Sequence, residues 1–353
     1  MGRVVRDTSV VTVAQLGEFD EIIDVRSPAE FADDHIPGAS SCPVLDDEER
    51  ARVGTIYKQA SAFDAKKIGA ALVSRNIARH IEQRFFDRPR QWHPLVYCWR
   101  GGQRSGAMAQ VLSQIGWDTA RLDGGYKAYR REVIAALETL PAQLDWRCIC
   151  GKTGTGKSRL LAALVELGAQ VLDLEQLARH RGSVLGGYSE PQPSQRMFES
   201  ALWSRLRAFD RARPVFVESE SSKIGAVRVP QALLTAMWQS PCIVLEAEVA
   251  TRVALLMQEY AHLRADSTLL AAKLDALTSL HGKPAIARWQ AMANPHEIEE
   301  LVAQLLLTHY DPAYSRSIRK HYARLDQAQT LAVREADAGG MLELAQRILV
   351  PTR

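Results

Sequence analysis

Cysteine is scarce in this chain and odd in number: Cys42, Cys98, Cys148, Cys150 and Cys242 in 353 residues. So sparse a set excludes a disulfide-stapled scaffold. Cys148-Ile149-Cys150 lacks a second Cys/His pair at zinc spacing, and reads as two small apolar side chains on one face of a buried strand. No stretch approaches the ~20 apolar residues of a membrane span. The start, Met1 to Arg6, has neither an apolar signal core nor the Ser/Thr of a myristoylation motif. A reducing cytoplasm, with no membrane partner, is the expectation. Internal repeats and low-complexity segments are also absent, so solenoid and disordered classes drop out. The formal charge of +3 permits a nucleic-acid partner without demanding one, because a local patch matters more than the total.

What is present is ordinary globular composition, 46% hydrophobic and 24% charged, in a chain long enough for two cores. Short apolar runs alternate with helical patterns, implying parallel α/β sheets with active loops at the strand C-termini. Glu21–Val25, Leu95–Tyr97 and Thr119–Leu122 read as strands, and Ser105–Ile115 as a helix. A first domain over 1–138 is followed by a linker at 139–145 around Pro141, and a second domain over 146–353. There Trp146–Cys150 reads as a strand, Lys157–Leu167 as a helix, and Ala169–Leu172, Val215–Val217 and Ile243–Leu245 as further strands. Residues 251–325 are almost wholly helical in pattern, before a closing strand at 331–333 and helix at 341–349.

Two loops carry the chemistry. Cys98-Trp99-Arg100-Gly101-Gly102-Gln103-Arg104-Ser105 leaves a strand end. Its backbone N–H groups form an electropositive nest that favours the thiolate, the nucleophilic form of Cys98. Gly101 and Gly102 let the loop curl, and Arg104 can close it over a tetrahedral anion. A buried inert cysteine ahead of a surface loop would not need this pattern.

This region resembles the rhodanese family over about residues 8–135. Asp24-Val25-Arg26-Ser27-Pro28-Ala29-Glu30-Phe31, with His35 to Ala39, is similar to the family's N-terminal signature, and Asp123-Gly124-Gly125-Tyr126-Lys127-Ala128-Tyr129 to its C-terminal one. The resemblance implies a structural Asp24–Arg26 ion pair. The loop is one residue longer than in sulfur-carrying rhodaneses and matches related dual-specificity phosphatases, although Tyr97 stands where those have His. A phosphatase, or a sulfur or selenium donor carrying a phosphate, fits the roomier nest.

The second loop, Gly151-Lys152-Thr153-Gly154-Thr155-Gly156-Lys157-Ser158, is a complete Gly-x-x-x-x-Gly-Lys-Ser phosphate loop between a strand and a helix. Its N–H groups cradle a di- or triphosphate, Lys157 adds a point charge, and Ser158 can ligate Mg²⁺. Glu218, ending the run Val215-Phe216-Val217, is the candidate for organising Mg²⁺ or water. It is a glutamate with no evident water-positioning residue after it, which speaks against NTP hydrolysis; for Glu220 a surface or ion-pair role stands beside a chemical one, on at least equal terms. Arg179 and Arg181 are candidate phosphate contacts, with a solvated loop as the alternative. Arg316, Arg319, Lys320 and Arg324 recur at three and four residues and make one basic face, suited to an RNA backbone. Tyr310, Tyr314 or Tyr322 could stack on a splayed base, and Lys283, Arg288 and Trp289 extend that surface.

Taken together, the motifs resemble the tRNA 2-selenouridine synthase family across nearly the whole chain. They include Gly54-Thr55-Ile56-Tyr57-Lys58, both loops, the Asp173-Leu174-Glu175 and Arg181-Gly182-Ser183 runs, Val217 to Ser221, and His309-Tyr310-Asp311-Pro312. The resemblance implies an α/β fold: an N-terminal rhodanese-like parallel-sheet domain, then a P-loop NTPase-like α/β domain with a largely helical segment. It implies a transferase that replaces sulfur by selenium in wobble 2-thiouridine of tRNA. The co-substrates would be geranyl diphosphate and selenophosphate, supplied by a separate enzyme, with no tightly bound cofactor. On this expectation the phosphate loop holds the geranyl diphosphate and the Cys98 loop the selenophosphate. A phosphatase–kinase fusion acting on nucleotides or small phosphorylated metabolites, and a passive sulfur-carrier or docking role for the first domain, are the rival readings.

Overall fold

The computed structural model describes residues 9–183, 185–187, 190–261, 266–294 and 296–350; the N-terminal segment read above lies outside them. The chain divides into two compact units, residues 1–136 with 196–204, and residues 137–195 with 205–353.

The first unit is built on a five-stranded, all-parallel sheet in the order β1-β5-β4-β2-β3. Its strands are β1 (Ser9–Val11), β2 (Glu21–Asp24), β3 (Ser40–Ser41), β4 (Pro94–Tyr97) and β5 (Ala120–Leu122). Every residue of central β4 is buried, as expected of a parallel strand covered on both faces. Ile23, Val25, Val96, Met108, Leu112, Trp92 and Trp117 form its core. A hairpin of helices, Asp47–Gln59 and Ala62–His80, lies between β3 and β4; Asp46 starts it by accepting the Glu49 N–H at 2.7 Å.

The second unit repeats the principle. Strands β6 (Trp146–Gly151), β7 (Gln170–Leu172), β8 (Val215–Glu218), β11 (Cys242–Glu246) and β12 (Gln329–Ala332) form a parallel sheet ordered β12-β11-β6-β8-β7. A small antiparallel pair, β9 (Lys223–Ile224) and β10 (Val227–Arg228), turns at Gly225. Since β6 is central, with β8 and β11 on either side, the loop leaving it sits where strand order reverses, the position at which such sheets bind ligands. The described residues between 249 and 321 are helical almost throughout. Cys148 and Cys150 are fully buried and pack with Ile318 and Tyr322.

The segment at 139–145 is ordered: Leu140–Gln143 is a 3-10 helix, and the Pro141 carbonyl accepts the Trp146 indole N–H at 2.7 Å. Helix Gln195–Ala208 contributes residues 196–204 to the first unit. Ser200 donates to Asp34 at 3.1 Å there, Glu199 pairs with Arg130, and Trp203 meets the Tyr129 ring edge-on.

Candidate active site

In the first unit, Cys98 directly follows β4, and the helix Gln103–Ile115 begins five residues later, so the loop's N–H groups precede a helix N-terminus. The Cys98 thiol is buried, and the Ser105 hydroxyl donates to its Sγ at 3.2 Å. The Asp123-to-Tyr126 turn holds the loop from beneath: Tyr126 N–H donates to the Cys98 carbonyl at 2.8 Å and Lys127 N–H to that of Trp99 at 3.1 Å. Gly125 has φ of +57°, and a Cβ there would collide with the Cys98 carbonyl and come 2.5 Å from the Gly101 nitrogen. The two glycine signatures are therefore one interlocked structure. Trp99 stacks on Tyr126 at 5.2 Å, while Arg100, Gly102 and Gln103 are exposed at the loop's outer edge.

Arg104 is half-buried, and its guanidinium bonds Glu30 at 2.8 Å. Glu30 also accepts the Ser27 N–H at 3.2 Å and pairs with Arg50 at 3.1 Å. Burial pushes the Glu30 carboxyl up, but Arg104 and its other partners outweigh this and hold it below the usual range. Glu30 thus fixes Arg104 at the loop, a role the sequence reading had not assigned. Asp24 and Arg26 form a fully buried pair at 2.6 Å, with Arg26 also donating to the Asp34 carbonyl and lying over the Tyr126 ring at 4.1 Å. This matches the structural role expected of them.

In the second unit, Gly151, Gly154 and Gly156 all take positive φ, and the helix Lys157–Glu166 starts at once. A Cβ on Gly154 would press on the Arg252 carbonyl and Leu256 at 3.1 Å, so the loop is seated against helix Val249–Glu259. Lys157 Nζ donates to the Gly151 carbonyl at 3.1 Å, folding it back over the cradle, and the Thr155 hydroxyl bonds the Lys152 carbonyl at 2.9 Å. Arg252 is buried; its Nε donates to the Thr153 carbonyl at 2.8 Å while both terminal nitrogens bond Asp311 at 2.9 and 2.6 Å. Asp311 also pairs with Lys152 at 3.4 Å.

The register Ile149↔Glu218 brings Glu218 beside the loop. Carboxylate oxygens of Glu175, Glu218 and Glu220 lie within 4.8 Å of one another, and the Ser158 hydroxyl is 3.4 Å from both Glu175 and Glu218. Burial, then mutual repulsion, raises the Glu175 carboxyl to about 8 and holds that of Glu218 well above its ordinary value; burial also raises Glu220. One Glu218 oxygen is buried without a hydrogen-bond partner. Such a hard-oxygen set fits a divalent cation. Glu220, for which a surface or ion-pair role stood beside chemistry, belongs to this cluster two residues beyond the end of β8, and Glu175 was missed, its motif having offered no sign of proximity to Ser158.

Other expectations are revised. Arg179 is exposed, in left-handed backbone, 3.8 Å from Glu190, and Arg181 lies over the Tyr260 ring at 5.2 Å. Arg316, Arg319, Lys320 and Arg324 are all exposed on or just beyond helix Asp311–His321. The tyrosines are not available for stacking on a base. Tyr322 is buried on Cys148 and Cys150, the Tyr314 hydroxyl accepts the Gly151 N–H at 2.6 Å, and Tyr310 packs in the helical core. Trp289 is buried as well, since an indole at that helical spacing fills the core rather than extending a polar face.

A rhodanese-like family model matches residues 11–132, and a model for the tRNA 2-selenouridine synthase AAA domain matches residues 144–275. Rhodanese-like sheet and AAA-type phosphate-loop domain in one chain define the class. Proteins named tRNA 2-selenouridine synthase are similar to this chain. That of Nitrosomonas europaea is 40% identical over 68% of this chain and 63% of its own length, and that of Marinobacter nauticus 40% identical over 68% and 65%. That of Shewanella halifaxensis is 33% identical over 86% of this chain and 90% of its own length. The chain belongs to the tRNA 2-selenouridine synthase family. The matched stretch spans less than two thirds of the first two relatives. No described helix is long and apolar enough to cross a membrane.

Proposed function

We propose that the protein is a tRNA-modifying transferase that exchanges the sulfur of wobble 2-thiouridine for selenium in two steps. The observation that carries this reading is the pairing in one chain of a buried thiol under an anion nest, at Cys98, with a diphosphate cradle at Gly151 to Ser158. In the first step the thiocarbonyl sulfur attacks C1 of geranyl diphosphate. The C–S bond forms, the C–O bond breaks, diphosphate leaves, and N3 gives up its proton. The phosphate-loop N–H groups and Lys157 stabilise the departing diphosphate. Glu175, Glu218, Glu220 and Ser158 would hold a divalent cation such as Mg²⁺, which would neutralise diphosphate charge.

Alkylation turns a poor leaving site into a thiol leaving group. In the second step selenium from selenophosphate bonds to C2 and geranylthiol departs. The Cys98 loop holds the donor, with Arg104 on its phosphate. The phosphorus–selenium bond breaks as Cys98 Sγ takes the phosphoryl group, and water then releases it as phosphate. The exposed face of Arg316, Arg319, Lys320 and Arg324 meets the tRNA backbone.

The test is mass spectrometry of nucleosides from 2-thiouridine tRNA treated with geranyl diphosphate and then selenophosphate. A geranylated nucleoside that converts to selenouridine is expected. Lys157→Ala should lose the first step and Cys98→Ser the second. Unchanged tRNA, with ATP or an aryl phosphate consumed instead, would move the assignment to a phosphatase–kinase.

A further inference from the structure

Beside the phosphate loop the second unit contains an apolar cavity, part of it open to solvent. Thr153 of the phosphate loop is in its wall, next to Leu256, the side chain against which Gly154 is seated. The remaining wall comes from helix Val249–Glu259 and from the core of the helical segment, including Leu301 and Val302 of helix Ile298–Leu305. The cavity therefore adjoins the diphosphate cradle and is almost entirely hydrocarbon.

Three of the hydroxyls in its wall, those of Ser183, Tyr260 and Tyr310, are engaged with one another. The Ser183 hydroxyl bonds the Tyr260 hydroxyl at 3.2 Å and also the Tyr310 hydroxyl. A nucleobase entering here would lose its hydrogen bonds to water and find few replacements, a cost of about 1–3 kcal/mol per unpaired group. An aliphatic chain incurs no such cost and gains about fourfold in affinity for each methylene buried. We propose that this cavity seats the apolar tail of the diphosphate ester whose head lies on the phosphate loop, and that its walls set the chain length accepted. The inference rests on the proposed function and deepens it, because it says which residues choose between an isoprenoid and a nucleotide.

The test fills the space from half-buried positions, with Val302→Trp and, independently, Met257→Trp. Binding of geranyl diphosphate, dimethylallyl diphosphate and inorganic pyrophosphate to the full chain is measured by calorimetry. The wild type should bind geranyl diphosphate at least about tenfold more tightly than pyrophosphate, with dimethylallyl diphosphate between them. Either variant should lose that advantage while its pyrophosphate affinity stays within about twofold, which also shows that it is folded. If both variants keep full affinity for geranyl diphosphate, the tail lies elsewhere and the cavity assignment fails. Continued loss of geranyl diphosphate in Lys157→Ala would then leave the functional reading intact. If the wild type binds geranyl diphosphate no better than pyrophosphate, both assignments fall together.

Discussion

Asp311→Asn isolates what holds the phosphate loop in shape. The substitution preserves volume but removes the charge opposite Arg252, which is buried and bonded twice to the carboxylate. A buried cation left without its anion costs about 3–5 kcal/mol, more than the pair itself contributes. The Lys152 contact at 3.4 Å disappears as well, but Lys152 is half exposed and adds little. Taking about 3 kcal/mol, with roughly 2–4 °C per kcal/mol for a domain of this size, the second unit should melt about 6–12 °C lower. Because Arg252 also holds the Thr153 carbonyl, pyrophosphate binding should weaken too. Joint replacement, Arg252→Met with Asp311→Leu, should recover much of the melting temperature but not the binding, since no side chain then anchors Thr153. The pH dependence gives a third arm. Burial raises the Asp311 carboxyl, but Arg252 more than offsets this and holds it below its ordinary value. Its contribution is therefore complete above the unfolded value near pH 4, and is lost as pH falls through the lower folded value. Asp311→Asn should flatten that acid limb. A single variant melting within about 1 °C of wild type, with unchanged pyrophosphate affinity, would refute the reasoning.

Three further outcomes are expected. Gly125→Ala forces a side chain into the Cys98 loop, whereas Gly38, at φ of +83° with nothing within 4 Å, meets only the left-handed backbone cost of about 1–2 kcal/mol; Gly125→Ala should abolish selenation and spare geranylation, and equal effects of the two alanines in the nucleoside assay would contradict the interlocked-loop account. With Glu175 raised to about 8, the folded state binds more protons than the unfolded one between about pH 4.5 and 8, so stability should fall as pH rises through that window. Millimolar Mg²⁺ should restore it at pH 8, and Glu175→Gln should flatten the profile; a melting curve indifferent to both would argue against a cation at the three carboxylates. Reversing Arg316 and Arg319 to Glu should lower the slope of log affinity against log salt for tRNA by about 2, whereas an unchanged slope in filter binding would remove this face from the interface.

Much of the fold could be read along the chain because its signals are local. A buried parallel strand such as Pro94–Tyr97 is a short apolar run, and a phosphate loop is a run of glycines ahead of a helix, so each declares itself within ten residues. The tyrosines of the basic helix misled because spacing shows which residues share a face but not which neighbour that face meets. Tyr314 and Tyr322 turned inward onto β6, and the arginines between them stayed outside. The small strands β1 and β3 were not read, since two or three residues of mixed polarity carry no period.

By itself, then, the sequence showed the two glycine-rich loops, the positions along the chain of the two sheets' principal strands, the helical pattern of residues 251–325 and the resemblance that led to the family. Each depends on residues adjacent in the chain. Only the tertiary structure decided what those loops rest on. Glu30 was brought to Arg104, Gly125 under Cys98, Glu175 to Glu218, and Asp311 to Arg252 behind Thr153. The apolar cavity is of the same kind: its lining is spread from Thr153 to Tyr310, and a leucine facing empty space has the same pattern along a helix as one facing another leucine. Periodicity reports that a side chain is turned away from water, and packing alone reports whether the space it faces is filled.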